Sequence, residues 1–203
     1  MATPRTLRAQ AAPGSRDGFD ATRAREAAAD LVIIGGGFGG CAAALAAARR
    51  GLRVVMTEET DWVGGQLTAQ AVPLDENAWI EGVGVSRSYA ALRQGIRDYY
   101  RRHYPLTHAA AANPRLNPGN GTVSGLCHEP RVGLAVLEAM LAPFVASGRV
   151  TVLLRHRPLR AAVAGDGRLG RLTRATKSQD SQLSRTSGGR AACPHLDYVS
   201  DCA

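Results

Sequence analysis

The chain has 203 residues, 45% of them hydrophobic and 5% aromatic, enough to bury the core of one domain, or one and a fraction. A formal net charge of +8 raises the question of nucleic acid, but the 25 basic residues are dispersed, all are Arg except Lys177, and no aromatic residues interleave with them in a stacking pattern. No run of about 20 apolar residues occurs, so no transmembrane helix is expected, and Cys41, Cys127, Cys193 and Cys202 show neither C-x-x-C nor metal-ligand spacing.

Residues 1–29 carry Arg5, Arg8, Arg16, Arg23 and Arg25 among Ala, Pro, Gly and Asp. They hold no apolar segment of the kind a secretory signal needs, and they read as a disordered basic lead. Leu31 to Ile34 follow as a short β-branched and aliphatic run, the composition of a buried parallel strand. Gly35, Gly37 and Gly40 then fit G-x-G-x-x-G, with Phe38 and Gly39 between them. Cys41 to Arg50 is alanine-rich and helix-prone, and Gly51 is placed to end it. A second strand, Arg53 to Thr57, ends in Glu58, at the distance where a dinucleotide fold places the acid that grips a ribose hydroxyl.

The chemistry of a diphosphate explains these residue types. Gly35 permits the tight turn, and Gly37 lets backbone approach the phosphates where a side chain would obstruct. Gly40 lets helix and strand pack closely, and the helix start offers free N–H groups with partial positive charge. An acid at Glu58 with no basic neighbour disfavours a 2′-phosphate, which leaves FAD or NAD rather than NADP.

A second glycine pair follows within a turn of the acid, in Glu59-Thr60-Asp61-Trp62-Val63-Gly64-Gly65-Gln66-Leu67-Thr68-Ala69-Gln70. With Gly35, Gly37, Gly40, Glu58, Gly64 and Gly65 in place, the chain resembles FAD-dependent oxidoreductases with a glutathione-reductase-like FAD domain. The run Trp62 to Pro73, Asn117 to Gly121, and Cys127 to Arg131 looks like one bacterial branch known only as FAD-dependent oxidoreductases. The resemblance covers residues 30 to 170 or so. It implies an α/β, Rossmann-like FAD/NAD(P)-binding fold, a parallel sheet with crossover helices, running into the start of an antiparallel meander. It also implies that Gly64, Gly65 and Gln66 line the pyrophosphate-to-ribityl side of FAD, with Thr68 and Gln70 further along. The candidate cofactor-binding set is Gly35, Gly37, Phe38, Gly39, Gly40, Glu58, Glu59, Gly64, Gly65, Gln66 and Thr68. No catalytic residue and no metal site are assigned, and the substrate is an unspecified small molecule.

From Ser86 a helix is expected, with Tyr89, Leu92, Ile96, Tyr99 and His103 inward and Arg93, Arg97 and Arg101 facing elsewhere. Residues 104–130 read as loop. Pro130 opens a helix through Val132, Leu134, Leu137, Met140, Leu141 and Phe144 to Gly148, and Val150 to Leu154 is a third strand. Glu129 is expected to neutralise that helix start while His128 fills the loop. Arg160–Ala164 and Gly170–Arg174 flank Asp166-Gly167 as a hairpin. The domain is expected to end at 174, where the resemblance stops. Residues 175–203, rich in Ser, Thr, Gln and Gly, read as a disordered, non-homologous tail. On that reading the chain is the truncated or fragmentary N-terminal portion of a cytoplasmic FAD enzyme, with weak flavin retention. A stand-alone NAD- or ADP-binding module is the alternative.

Overall fold

The computed structural model describes residues 19–20, 27–74, 76–77, 79–163 and 169–177. Its strands and helices in chain order are β1 (Phe19–Asp20), β2 (Leu31–Ile34), α1 (Phe38–Arg49), β3 (Val54–Glu58), α2 (Arg87–His103), α3 (His108–Ala112), α4 (Pro130–Ala146), β4 (Val150–Leu154), β5 (His156–Val163) and β6 (Leu169–Lys177). Among the described residues β2, β3 and β4 form a parallel sheet in that order, with Leu31 opposite Val54 and Val54 opposite Val150. The expected α/β arrangement of a parallel sheet with crossover helices is therefore present.

Helix α1 forms because alanines dominate it, and it stops where Gly51 turns left-handed at φ 88°. The same small residues let it lie close to the sheet, with Cys41, Ala44, Ala47 and Ala48 buried between them and Val54 and Met56. Pro130 takes the first turn of α4, where its missing N–H costs nothing, and Gly148 at φ 71° follows the last turn. Helix α4 packs against α1, β4 and α2. It meets α2 at Gly95, where a Cβ would stand 2.8 Å from Val136 Cγ1, so a larger residue would force the helices apart.

Helix α2 starts as expected, with Ser86 accepting from the Tyr89 N–H, but its buried face differs from the expectation. Arg93 and Arg97 are buried beside Leu92, Ile96 and Tyr100, while His103 is exposed. Their charge is met by Glu76 and Glu81, which reach in from the 71–85 segment. Such burial is tolerated only with paired, hydrogen-bonded partners. Within the stretch read as loop, His108–Ala112 forms α3, because Thr107 accepts from Ala110 N–H and four of the five helix residues are alanine.

β5 and β6 pair antiparallel with His156 opposite Thr176, giving the expected hairpin; its turn around Asp166-Gly167 lies outside the described residues. Two boundaries differ from the sequence reading. β6 continues to Lys177, past 174, and β1, inside the stretch read as a lead, pairs with Lys177 and Thr176. The rest of both terminal stretches lies outside the described residues. The chain enters β5 from β4 at Arg155, whose φ of 59° redirects the backbone into the second sheet. Among the described residues no helix is long and apolar enough to cross a membrane.

Candidate functional site

The glycine turn sits where β2 ends and α1 begins, and each glycine does a different job. Gly35 has φ 93°, a conformation that disfavours any side chain. A Cβ on Gly40 would stand 2.1 Å from the Gly35 carbonyl oxygen, so the helix start and the strand end pack backbone to backbone. At Gly37 the backbone is extended (φ −61°, ψ −177°), and a Cβ would meet nothing within 4 Å. Gly37 therefore owes its identity neither to strain nor to crowding within the chain. What it leaves is open space in front of α1. No side chain caps that end, so its first N–H groups have no partner within the helix.

The second glycine pair is fastened to the first. Gly64 N–H donates to the Gly36 carbonyl at 2.8 Å, and Gly37 and Gly64 form a parallel bridge. Gly64 (φ 102°) and Gly65 (φ 54°) are both left-handed. A Cβ on Gly65 would lie 3.1 Å from the Gly37 Cα, so the two loops make one continuous surface. Gln66 is exposed on the short 3₁₀ turn Gly65–Leu67.

Glu58 ends β3 beside this surface and is 8% exposed. One carboxylate oxygen accepts from Thr60 N–H at 2.8 Å, and the other would be 3.2 Å from a Cβ on Gly36. The parallel register of β2 and β3 thus brings acid and turn together from different parts of the sequence. Phe38 is half-buried, and Gly39 and Glu59 are exposed at the rim.

A model of the family described as "FAD dependent oxidoreductase" matches residues 30–188 of this chain. The chain belongs to that family. It is 32% identical over 83 residues to the 4-oxocyclohex-2-ene-1-carboxylate 5-dehydrogenase of Sinomonas cyclohexanicum, a match covering 41% of this chain and 13% of that protein. Among solved structures it is similar to the THI4 protein of Thermovibrio ammonificans, at 13% identity and a TM-score of 0.37 over 77% of this chain and 50% of that one. It is also similar to the L-amino acid deaminase of Proteus vulgaris, at 16% identity and a TM-score of 0.38 over 82% and 56%. The chain thus spans well under two thirds of each of these proteins.

As a member of the FAD dependent oxidoreductase family, the chain has FAD as its cofactor, and the turn fits the group. The uncapped start of α1 suits a diphosphate, and the carboxylate of Glu58 suits a sugar hydroxyl. Thr68, expected further along the flavin, is placed differently. It is 1% exposed and its hydroxyl donates to the Val63 carbonyl at 2.5 Å, so it braces the Gly64–Gly65 loop from behind. Trp62, half-buried, lies under the Arg131 guanidinium at 5.2 Å and ties the loop to α4.

Cys41, the first cysteine behind the turn, is a packing residue on α1. Burial pushes its thiol up to about 11, and Sγ donates to the Gly36 carbonyl at 3.3 Å. Glu129 is the N-cap residue of α4, but its side chain makes no capping hydrogen bond; its carboxylate accepts from the Tyr104 hydroxyl at 2.9 Å. His128 fills a notch over Gly133, where a Cβ would come within 2.8 Å of Nε2. Nδ1 lies 3.0 Å from the Leu126 carbonyl and so carries the proton, leaving Nε2 a buried acceptor without a partner among the described residues. Burial lowers its pKa, which keeps the ring neutral. Sequence reasoning placed Asn117 in a family-like run but gave it no role: its amide donates to the Gly121 and Ser124 carbonyls and accepts from Cys127 N–H, organising the loop before α4. An Asn opening a Pro-Gly-Asn-Gly stretch is the signal for that loop-organising role.

Proposed function

We propose that this chain supplies the part of an FAD-dependent oxidoreductase that holds the ADP half of the cofactor. Gly37, Phe38, Gly39 and Gly40 present backbone N–H groups to the diphosphate, Glu58 accepts from an adenosine ribose hydroxyl, and Gly64, Gly65 and Gln66 line the way toward the ribityl chain. Glu59 stands at the rim. The observation that carries this reading is the open space before Gly37, at an uncapped helix start, with a buried carboxylate one strand away. Bound flavin supplies the electron and hydride chemistry; the protein's share is grip, orientation and local field. The substrate is a small molecule, and Cys41 and Cys127, both free and buried, suit a reducing cytoplasmic setting.

Titrating the full chain with FAD, ADP and NAD tests the reading. Saturable binding with FAD at least as tight as ADP, and a yellow complex, is the expected result. Binding of NAD in preference to FAD favours a nucleotide module without flavin chemistry. No shift of the thermal midpoint with any of the three overturns the site.

A further inference from the structure

Tyr89 stands between the glycine turn and the 71–85 segment, and the functional reading above does not use it. Its ring meets the Phe38 ring edge to face, with centroids 5.6 Å apart and planes at 61°. Phe38 is the first residue of α1, so its backbone N–H belongs to the free set that faces the open side of the turn. Tyr89 is itself held. Its hydroxyl donates to Glu76, which also bonds Arg93, and the Arg93 guanidinium lies 5.9 Å from the Tyr89 ring centre. Arg93 and Arg97 share Glu81 beyond it. Burial, aided by Glu76, raises the Tyr89 hydroxyl above its ordinary value, so it remains a donor. A half-buried phenyl ring has no polar handle, and its position follows from what packs beside it.

We infer that Tyr89 is a positioning residue for the cofactor turn. By holding Phe38 it aims the first amides of α1, and through Glu76 it makes the 71–85 segment a determinant of cofactor affinity. This deepens the reading that α1 receives a diphosphate, and it is testable without cofactor. Cys41 N–H donates to the Gly37 carbonyl at 2.9 Å, so its hydrogen exchange reports the turn directly.

In the full chain, Tyr89→Leu is expected to quicken exchange at Cys41 about tenfold, with Val55 and Met56 of β3 unchanged. FAD affinity should fall about tenfold in the same variant, with Tyr89→Phe restoring most of it because the ring contact remains. Tyr89→Phe, which removes the hydroxyl's bond to Glu76 and keeps the ring, should quicken Cys41 exchange to a smaller degree. Unchanged exchange at Cys41 in Tyr89→Leu overturns the inference whatever FAD does, and quickened exchange with unaltered FAD affinity overturns its second half. Should Tyr89→Leu fail to fold, Tyr89→Phe decides: a smaller acceleration at Cys41 supports the link, and none overturns it. An unmodified chain that binds no FAD sinks the functional reading, while the exchange result still judges Tyr89.

Discussion

Helices α1 and α2 both pack into the core, and they do so by opposite chemistry. Helix α1 buries Cys41, Ala44, Leu45, Ala47 and Ala48, and no charge, so it needs apolar neighbours but no ionic partner to be buried. Helix α2 buries Arg93 and Arg97 beside Leu92 and Ile96, and those charges are satisfied only because Glu76 and Glu81 arrive from an irregular segment earlier in the chain. A face made of small apolar groups is self-sufficient, whereas a face with buried cations depends on its partners. The cofactor turn is built on the first kind and, through Tyr89, leans on the second.

The largest way to break the comparison is at the dependent helix. Arg93→Met leaves Glu76 and Glu81 short of a partner, and is expected to cost about 3–5 kcal/mol in urea unfolding, as removal of one member of a buried pair does. A loss no greater than that of an exposed substitution would mean the network is screened, and the two helices are more alike than they look. Next, Gly40→Ala presses a methyl against the Gly35 carbonyl and should cost about 1–3 kcal/mol by overpacking, read from the same unfolding curve.

The first helix and its turn were legible in the sequence because each signal was local: glycine spacing, an alanine run, a strand ending in Glu58. The bounds of α4 and of the strand after it were legible for the same reason. Arg93 and Arg97 were misread because a period of polar residues on a helix ordinarily marks the wet side. The acids that reverse the assignment lie in a segment with no periodicity to tie them to α2. The place of Thr68 was not legible because a hydroxyl near a glycine pair can face cofactor or loop, and here its side chain is buried against the loop.

A third substitution separates stability from binding within the turn itself. Gly37→Ala adds a Cβ that meets no atom of the chain within 4 Å, so the thermal midpoint should hold while FAD affinity drops about 10-fold, or ~1.4 kcal/mol, in a titration. A collapse of the fold instead would place Gly37 with Gly40, as a structural residue. The smallest effect is a proton's. His128 has a lowered pKa in the fold, so its contribution is intact above its ordinary 6.5 and is lost as pH falls through that value toward the folded one. Thermal melts across this window should show a midpoint declining with acid, and the decline should shrink in His128→Gln. An unchanged slope would assign it to other groups.

The Gly37–Gly64 bridge carries a consequence for how this family's chains can vary. Two loops stitched by main chain cannot drift apart, so the short span from Glu58 to Gly64 has a fixed length even though its rim residues are exposed. Inserting one residue there would shear the seam and pull Gln66 out of line. Exchanging Glu59 or Asp61 for another polar residue would leave it whole. In this stretch spacing, more than residue identity, is what the backbone holds constant.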